Sequence, residues 1–323
     1  MTISSKIKSA ETPGGFRQEE FTDLFRSKPP AFGQSLSELT SFGTGGPALA
    51  VAYPCDVPEL IRCLRFCEKS SIPRLILGNG SNTLFSDEGF DGVIVRLDGE
   101  FKKCSLSDDG TVIAGAACRN EKVSTLAQNN SLTGAEFLAT VPGTIGGATY
   151  MNAGAHGQEI SDYIIRCCAL TKDLEEIVLQ KDSLGLAYRT SVFQENGFTI
   201  LFSEFRFSPS DRDQVRERKN SFSEKRKASQ PYQAKTWGSV FKNPAGASAG
   251  ALIEKCGLKG HRIGGAEISE IHANFIVNPE RKATTADGLK LMRIMKEKVR
   301  QESGIELETE VIVYDRAGKK INL

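Results

Sequence analysis

Apolar and polar positions alternate in a way that divides the chain into short elements. ALAVAYP reads as a strand, and DVPELIRCLRFCEKS follows it. There Asp56 can cap, Pro58 suits a first turn, and Leu60, Leu64 and Cys67 recur on one face, which predicts a helix. PRLILGNGSN reads as a buried strand running into a glycine loop. GVIVRL at 92–97 and TVIAGAAC at 111–118 read as further strands, and residues 120–130 as a helix. Residues 133–158, which contain VPGTIGGATYMNAGAHG, are too long and glycine-rich for an idle connection and too apolar for disorder, so they read as a functional loop. CCALTKD, EEIVLQ, LAYRTSVF and TILFSEFRF read as strand-like.

From 211 to 228, DRDQVRERKNSFSEKRKA mixes charges at close spacing and reads as a solvated helix connecting two larger units. The last hundred or so residues read as a separate domain. SAGALIEKCG is a short helix with Ser248 as cap and Gly257 as stop, and ANFIVN is a strand. Residues 285–302 form an amphipathic helix with Leu289, Met292, Met295 and Val299 on one side, and ETEVIVYD is a terminal strand. The polar first 30 residues, closed by Pro29–Pro30, read as a loosely ordered extension with one short helix.

Composition narrows the function classes. A chain of 323 residues exceeds one ordinary core, which implies two or three units. With 41 basic and 40 acidic side chains, no broad field draws in nucleic acid or an anionic membrane, although a local basic site for one phosphorylated ligand stays open. MTISSKIKSAETPGG lacks the apolar core of a signal peptide, and no run is apolar enough for a membrane span. The expectation is a cytoplasmic protein, a monomer or weak oligomer, with no nucleic-acid or membrane partner. Eight cysteines without a CxxC, and His156, His261 and His272 without zinc-like spacing, read as buried free thiols rather than metal ligands.

Two glycine segments carry the chemistry. In LGNGSN, Gly78 and Gly80 flank Asn79 and let backbone approach a ligand, while successive N–H groups form an anion nest to which Ser81 and Asn82 add donors. A tight turn explains this loop equally well. It is neither the G-x-G-x-x-G of a Rossmann unit nor a Walker A loop. The second segment holds Pro142, Gly143, Thr144, Gly146, Gly147, Asn152 and Gly154. Two such segments could clasp a long ligand with two phosphates, which points to a dinucleotide cofactor.

LGNGSNTLFSD, VPGTIGGATYMNAGAHG, YRTSVF, GSVFKNP, AGALIEKCGLKG and HANFIVN occur in this order. Together, over roughly residues 38–315, they resemble the UDP-N-acetylenolpyruvoylglucosamine reductase family, in its shorter form. The resemblance implies an α+β protein. A variable extension (1–30) would precede a FAD-binding domain of the vanillyl-alcohol oxidase-like type in two lobes (31–100 and 101–210). A C-terminal α+β substrate-binding domain with its connecting helix (211–323) would follow. The two glycine segments would hold FAD. NADPH would pass a hydride to FAD, which would pass one to the methylene carbon of the enolpyruvyl ether in UDP-N-acetylglucosamine enolpyruvate. Negative charge then builds at the neighbouring carbon and its carboxylate, so the site must stabilise charge and deliver a proton.

Three positions match the family's catalytic residues. Ser239 would donate the proton, Arg189 would grip the carboxylate with two parallel hydrogen bonds, and Glu310 would sit beside the developing charge. Glu310 helps there only if it is protonated or orients something else. In a strand it shares a face with Ile312 and Tyr314, an apolar setting that raises a carboxyl pKa; the plainer alternative is a strand end reaching water. Asn243 would contact the nucleotide end with Lys242 nearby, and Arg226 would meet the diphosphate. Taken singly, these are a turn serine, a surface ion pair, loop-satisfying polar groups and one charge on a solvated helix.

Two positions depart from the family pattern: Gly43 stands where a basic residue is frequent, and Thr309 where proline is. Two alternatives stay open, another FAD-dependent oxidase or dehydrogenase on the same fold, and a silent nucleotide-sugar-binding module without flavin.

Overall fold

Asp56 accepts a hydrogen bond from the Glu59 N–H at 2.7 Å and so starts the helix Val57–Lys69, which buries Leu60, Cys63, Leu64 and Cys67. The computed structural model to which this helix belongs describes residues 16–323. The helix shares a core with a four-stranded sheet ordered Ala31–Phe32, Ala48–Ala52, Phe90–Val95, Arg74–Ile76. Phe90–Val95 pairs in parallel with both neighbours, and its continuous apolar run fits a strand covered on both faces. The strand Arg74–Ile76 then delivers the chain into the loop at 78–82.

The expected loose extension is corrected where it can be seen. Within residues 16–30 the short helix Gln18–Thr22 is present, and Phe16, Phe21 and Phe25 are buried in the same core. Phe21 lies 5.2 Å from Phe16 and 5.1 Å from Phe66, ring centre to ring centre. Three aromatic rings remove enough apolar surface from water to hold so polar a segment down. Residues 1–15 of that extension lie outside the described residues.

A second, antiparallel sheet is ordered Glu176–Gln180, Ile164–Leu170, Thr199–Arg206, Thr111–Gly115, Cys104–Leu106. LAYRTSVF is not one of its strands. Ala187 and Thr190 make a single bridge around Arg189, whose φ is +56°. Side chains hold this turn in place of a ladder: the Ser191 hydroxyl and the Gln194 amide both donate to the Tyr150 carbonyl, at 2.6 and 2.9 Å. The glycine-rich stretch at 133–158 contains a 3-10 turn, Glu136–Thr140, and a short helix, Ile145–Tyr150.

The charged helix forms as Arg212–Ser229, but only its outer face is solvated. Val215 is buried, and Arg218 Nε donates to the almost fully buried Glu136 at 3.0 Å, so the helix is anchored on the 3-10 turn. Beyond it, Thr236–Ser239, Phe275–Val277, Ala266–Ile268 and Arg262–Ile263 form a third sheet. Its core includes Leu291, Met292, Met295 and Val299 of the helix Thr285–Ser303. Leu289 is only half-buried, and Leu291 takes its place on the inner face. The terminal strand is shorter than expected, Ile312–Tyr314, and pairs in parallel with Thr83–Phe85 immediately after the first glycine loop. The result is an α+β fold. Among the described residues no helix is long and apolar enough to cross a membrane. All eight cysteines are free thiols, five of them buried.

Candidate active site

The two glycine segments face each other across a cavity of about 980 Å³. Ser81 Oγ donates to the Pro142 carbonyl at 3.0 Å and staples one segment to the other. Their approach is close enough that a Cβ on Gly78 would stand 2.8 Å from Thr144 Oγ1. Gly80 has φ +62° and its backbone packs on Leu39, so no larger residue fits. Thr144 caps the helix Ile145–Tyr150, which brings Gly146 and Gly147 to the cavity wall. Gly78 to Asn82, Pro142 to Thr144, Gly146, Gly147 and Gly154 all line the cavity.

Asn152 is not on that wall. It is fully buried, its amide donating to the Ala187 carbonyl at 3.0 Å while its oxygen accepts from the Ser161 N–H at 2.9 Å. It therefore supports the turn that carries Arg189.

That turn aims Arg189 into the cavity. Nε donates to Glu310 Oε1 at 2.8 Å, Nη2 to the Gly154 carbonyl at 3.3 Å, and the guanidinium lies over the Tyr188 ring at 4.9 Å. Glu310 is placed from two sides. Its N–H donates to the Val240 carbonyl, and its carbonyl accepts from Asn82 Nδ2 at 3.1 Å. Glu310, Ile312 and Tyr314 line the cavity, whereas Val311 and Val313 face the core, so the alternation expected from sequence is present. The Glu310 side chain is 15% exposed. Burial outweighs the opposing pull of Arg189 and Lys242 and leaves its carboxyl above the usual range.

Ser239 ends the strand Thr236–Ser239, next to Val240 and hence next to Glu310, and lines the same cavity. Gly238, at φ +88°, lets the chain turn there. Thr309 stands opposite Phe241. The flanking bonds run from Lys242 N–H to Glu308 and from Glu310 N–H to Val240, and neither uses the Thr309 N–H. A proline would be tolerated at that position for the same reason, and Thr309 leaves Glu310 in place.

Lys242 and Asn243 lie off the cavity wall. Lys242 Nζ pairs with Glu308 at 2.6 Å. The Asn243 side chain accepts from the Ala249 N–H at 3.0 Å, and its own N–H donates to the Tyr188 hydroxyl at 3.2 Å. Arg226 does line the cavity, at the end of its helix, with Nε buried and without a partner among the described residues. Burial lowers its pKa. Gly43 borders open space: a Cβ there would meet nothing within 4 Å among the described residues.

Sequence reading missed several wall residues. Asn120 donates to the Val141 carbonyl at 3.0 Å while its side-chain oxygen stays buried and unpaired beside the second glycine segment. Tyr150 and Lys320 meet across the cavity rim, Lys320 Nζ donating to the Tyr150 hydroxyl at 3.2 Å. Asn120 and Lys320 lie in no motif with a chemical signature, and Tyr150 is masked among the glycines of its segment, so only the fold could reveal them. The wall is strongly basic: Arg74, Arg96, Arg119, Arg189, Arg226 and Lys320 contribute to it, and Glu310 is its one carboxylate among the described residues. In a chain of net charge +1 this is a local site for a polyanion. Paired glycine loops, an orphaned Asn120 oxygen and the partly exposed Ile76 fit a ligand with a diphosphate, hydroxyls and a flat ring, as FAD has.

Comparison with known proteins agrees with this geometry. Residues 48–177 match the family model of an FAD-binding domain, and residues 230–314 that of the UDP-N-acetylenolpyruvoylglucosamine reductase C-terminal domain. A UDP-N-acetylenolpyruvoylglucosamine reductase from Syntrophomonas wolfei is 36% identical over 296 residues, covering 91% of this chain and 98% of its own. Another from Latilactobacillus sakei is 40% identical over 288 residues, covering 89% and 93%. The crystal structure of the Thermus caldophilus reductase superposes with a TM-score of 0.76 at 33% identity, covering 90% of this chain and 99% of that one. The chain therefore belongs to the UDP-N-acetylenolpyruvoylglucosamine reductase family and pairs an FAD-binding domain with that family's C-terminal domain.

Proposed function

We propose that this protein reduces the enolpyruvyl group of UDP-N-acetylglucosamine enolpyruvate with NADPH, giving UDP-N-acetylmuramate for peptidoglycan precursor synthesis. The observation that carries the reading is the meeting of Arg189, Glu310 and Ser239 in one cavity with both glycine segments. We further propose the division into lobes at 31–100 and 101–210 and a substrate domain at 211–323.

The two glycine segments would hold FAD, which would supply the hydride chemistry between NADPH and the substrate's methylene carbon. The residues of the chain do the rest. Arg189 is permanently charged and oriented by Glu310 and Gly154, so it can receive the substrate carboxylate with little reorganisation. Ser239 lines the cavity, where its hydroxyl can give its proton to the carbon beside the carboxylate. An enolate-like carbon is a strong enough base to take that proton when the two are in contact. Glu310 lies where charge develops and stabilises it as the neutral acid. Arg226 faces the diphosphate with its unpaired Nε, while Lys242 and Asn243 shape the loop beside the nucleotide.

Visible absorption of the FAD-loaded protein tests this, followed anaerobically through NADPH and then the enolpyruvyl nucleotide sugar. The flavin band should bleach on the first addition and return on the second. A band that bleaches and stays bleached would move the substrate to that of another flavin-dependent dehydrogenase.

A further inference from the structure

The cavity holds one carboxylate among the described residues and pairs it with the cation that the proposed reaction assigns to the substrate. Arg189 offers two adjacent donors, Nε and Nη2, the first taken by Glu310 and the second by the Gly154 carbonyl. Arg189 and Glu310 are 18% and 15% exposed, so water screens the pair weakly. A second carboxylate arriving at the same guanidinium would stand close to an ionised Glu310. Two carboxylates sharing one poorly solvated site cannot both stay ionised at ordinary cost, and one takes a proton. The other charged group acting on Glu310 is Lys242, on the segment following Thr236–Ser239, and its ammonium is already held by Glu308 at 2.6 Å. Burial already holds the Glu310 carboxyl up with Arg189 in place, and sharing Arg189 with a second carboxylate weakens the main pull that opposes it.

We infer that Arg189 works as a shared cation: it keeps Glu310 ionised in the ligand-free protein, and a carboxylate-bearing substrate that occupies it makes Glu310 take up a proton from solvent. One proton passes from the buffer acid, through water, to a Glu310 oxygen: an O–H bond forms there, the buffer's bond to that proton breaks and its conjugate base stays in solution, and the charge brought by the substrate carboxylate is offset. Binding itself then supplies the neutral acid that the charge-stabilising role requires. The inference rests on the proposed role of Arg189 as the carboxylate clamp.

Calorimetry of the FAD-loaded oxidised protein tests it, without NADPH, near pH 7.5, in two buffers of different ionisation heat. UDP-N-acetylglucosamine enolpyruvate should bind with uptake of about one proton per site, read from the dependence of the heat on buffer. UDP-N-acetylglucosamine, which lacks the carboxylate, should bind with no such dependence and needs no variant as control. In Glu310→Gln the buffer dependence should vanish, whereas a merely structural Glu310 would change affinity and leave the dependence in place. Saturable binding with the same heat in both buffers overturns the inference and leaves the reductase reading standing. No binding heat and no change in the flavin spectrum overturns both.

Discussion

Asn82 Nδ2 donates to the Glu310 carbonyl at 3.1 Å, and the Asn82 carbonyl accepts from the Ile312 N–H at 3.1 Å, so one residue of the first glycine loop fixes the backbone on both sides of the acid. The first glycine loop, which we propose holds the cofactor, and Glu310 are thereby one mechanical unit. Asn82→Ala should weaken FAD binding and lower turnover together, each by roughly 5- to 100-fold, the range of a lost buried hydrogen bond of about 1–3 kcal/mol. Fluorescence titration with FAD and steady-state rates at saturating FAD measure the two effects. A change in one alone would mean that the link is not mechanical.

Ser239 and Arg189 should separate by half-reaction. Ser239→Ala should slow flavin reoxidation by the enolpyruvyl substrate on the order of 100-fold or more while reduction by NADPH stays within a few-fold. Stopped-flow absorbance resolves the two steps, and equal slowing of both would remove the proton-donor role. Arg189→Lys should lower kcat/KM by about 100-fold, because an ammonium cannot reproduce the planar fork of parallel N–H donors that a carboxylate fits. Near-normal turnover in that variant would count against the clamp.

Much of this site was legible because its chemistry is local in sequence. Glycines that touch backbone announce themselves by composition, and Glu310 announces its face by alternation with Val311 and Val313. What was not legible depends on long-range pairing. Asn152 sits among the glycines and reads as a cofactor contact, yet its amide spans from Ser161 to Ala187 and supports a turn. LAYRTSVF reads as strand because Tyr, Thr, Val and Phe favour strands; the bonds from Ser191 and Gln194 to Tyr150 override that preference. Phe16, Phe21 and Phe25 were lost in a polar background, because three buried rings outweigh many exposed charges in energy but not in count.

The two glycines of the first loop should respond differently to the same added methyl. At Gly78 the Cβ meets the tip of Thr144, a side chain that can rotate. Gly78→Ala should therefore keep the fold and, on the proposed placement of FAD against that backbone, lose FAD affinity. At Gly80 the Cβ would strike the Leu39 carbonyl, in a backbone conformation with φ +62°. Gly80→Ala should lower the melting temperature of the FAD-free protein by several degrees, corresponding to about 1–3 kcal/mol of backbone strain. Equal melting temperatures for the two variants would contradict the packing of this loop on Leu39.

The anchor of the connecting helix should be acid-sensitive. Glu136 accepts from the Gly134 N–H at 2.6 Å, from Thr133 Oγ1 at 2.8 Å and from Arg218 Nε at 3.0 Å. Burial pushes its carboxyl up, but the Gly134 N–H, the Thr133 hydroxyl, its own N–H and Arg218 outweigh burial and leave it lowered. A carboxylate held below its unfolded value contributes stability above that value, about 4.3 for Glu, and loses it as pH falls through the lowered one. Glu136→Gln keeps the shape and removes the charge, so it should cost about 1–2 kcal/mol at pH 7. That cost should shrink as pH falls below about 4.3, where the unfolded carboxyl takes up its proton before the native one does. Melting temperatures of both proteins at pH 7, 5 and 3.5 give the comparison. A gap that stays constant down to pH 3.5 would mean that the ionised form of Glu136 contributes nothing to holding Arg212–Ser229 against the second sheet's lobe.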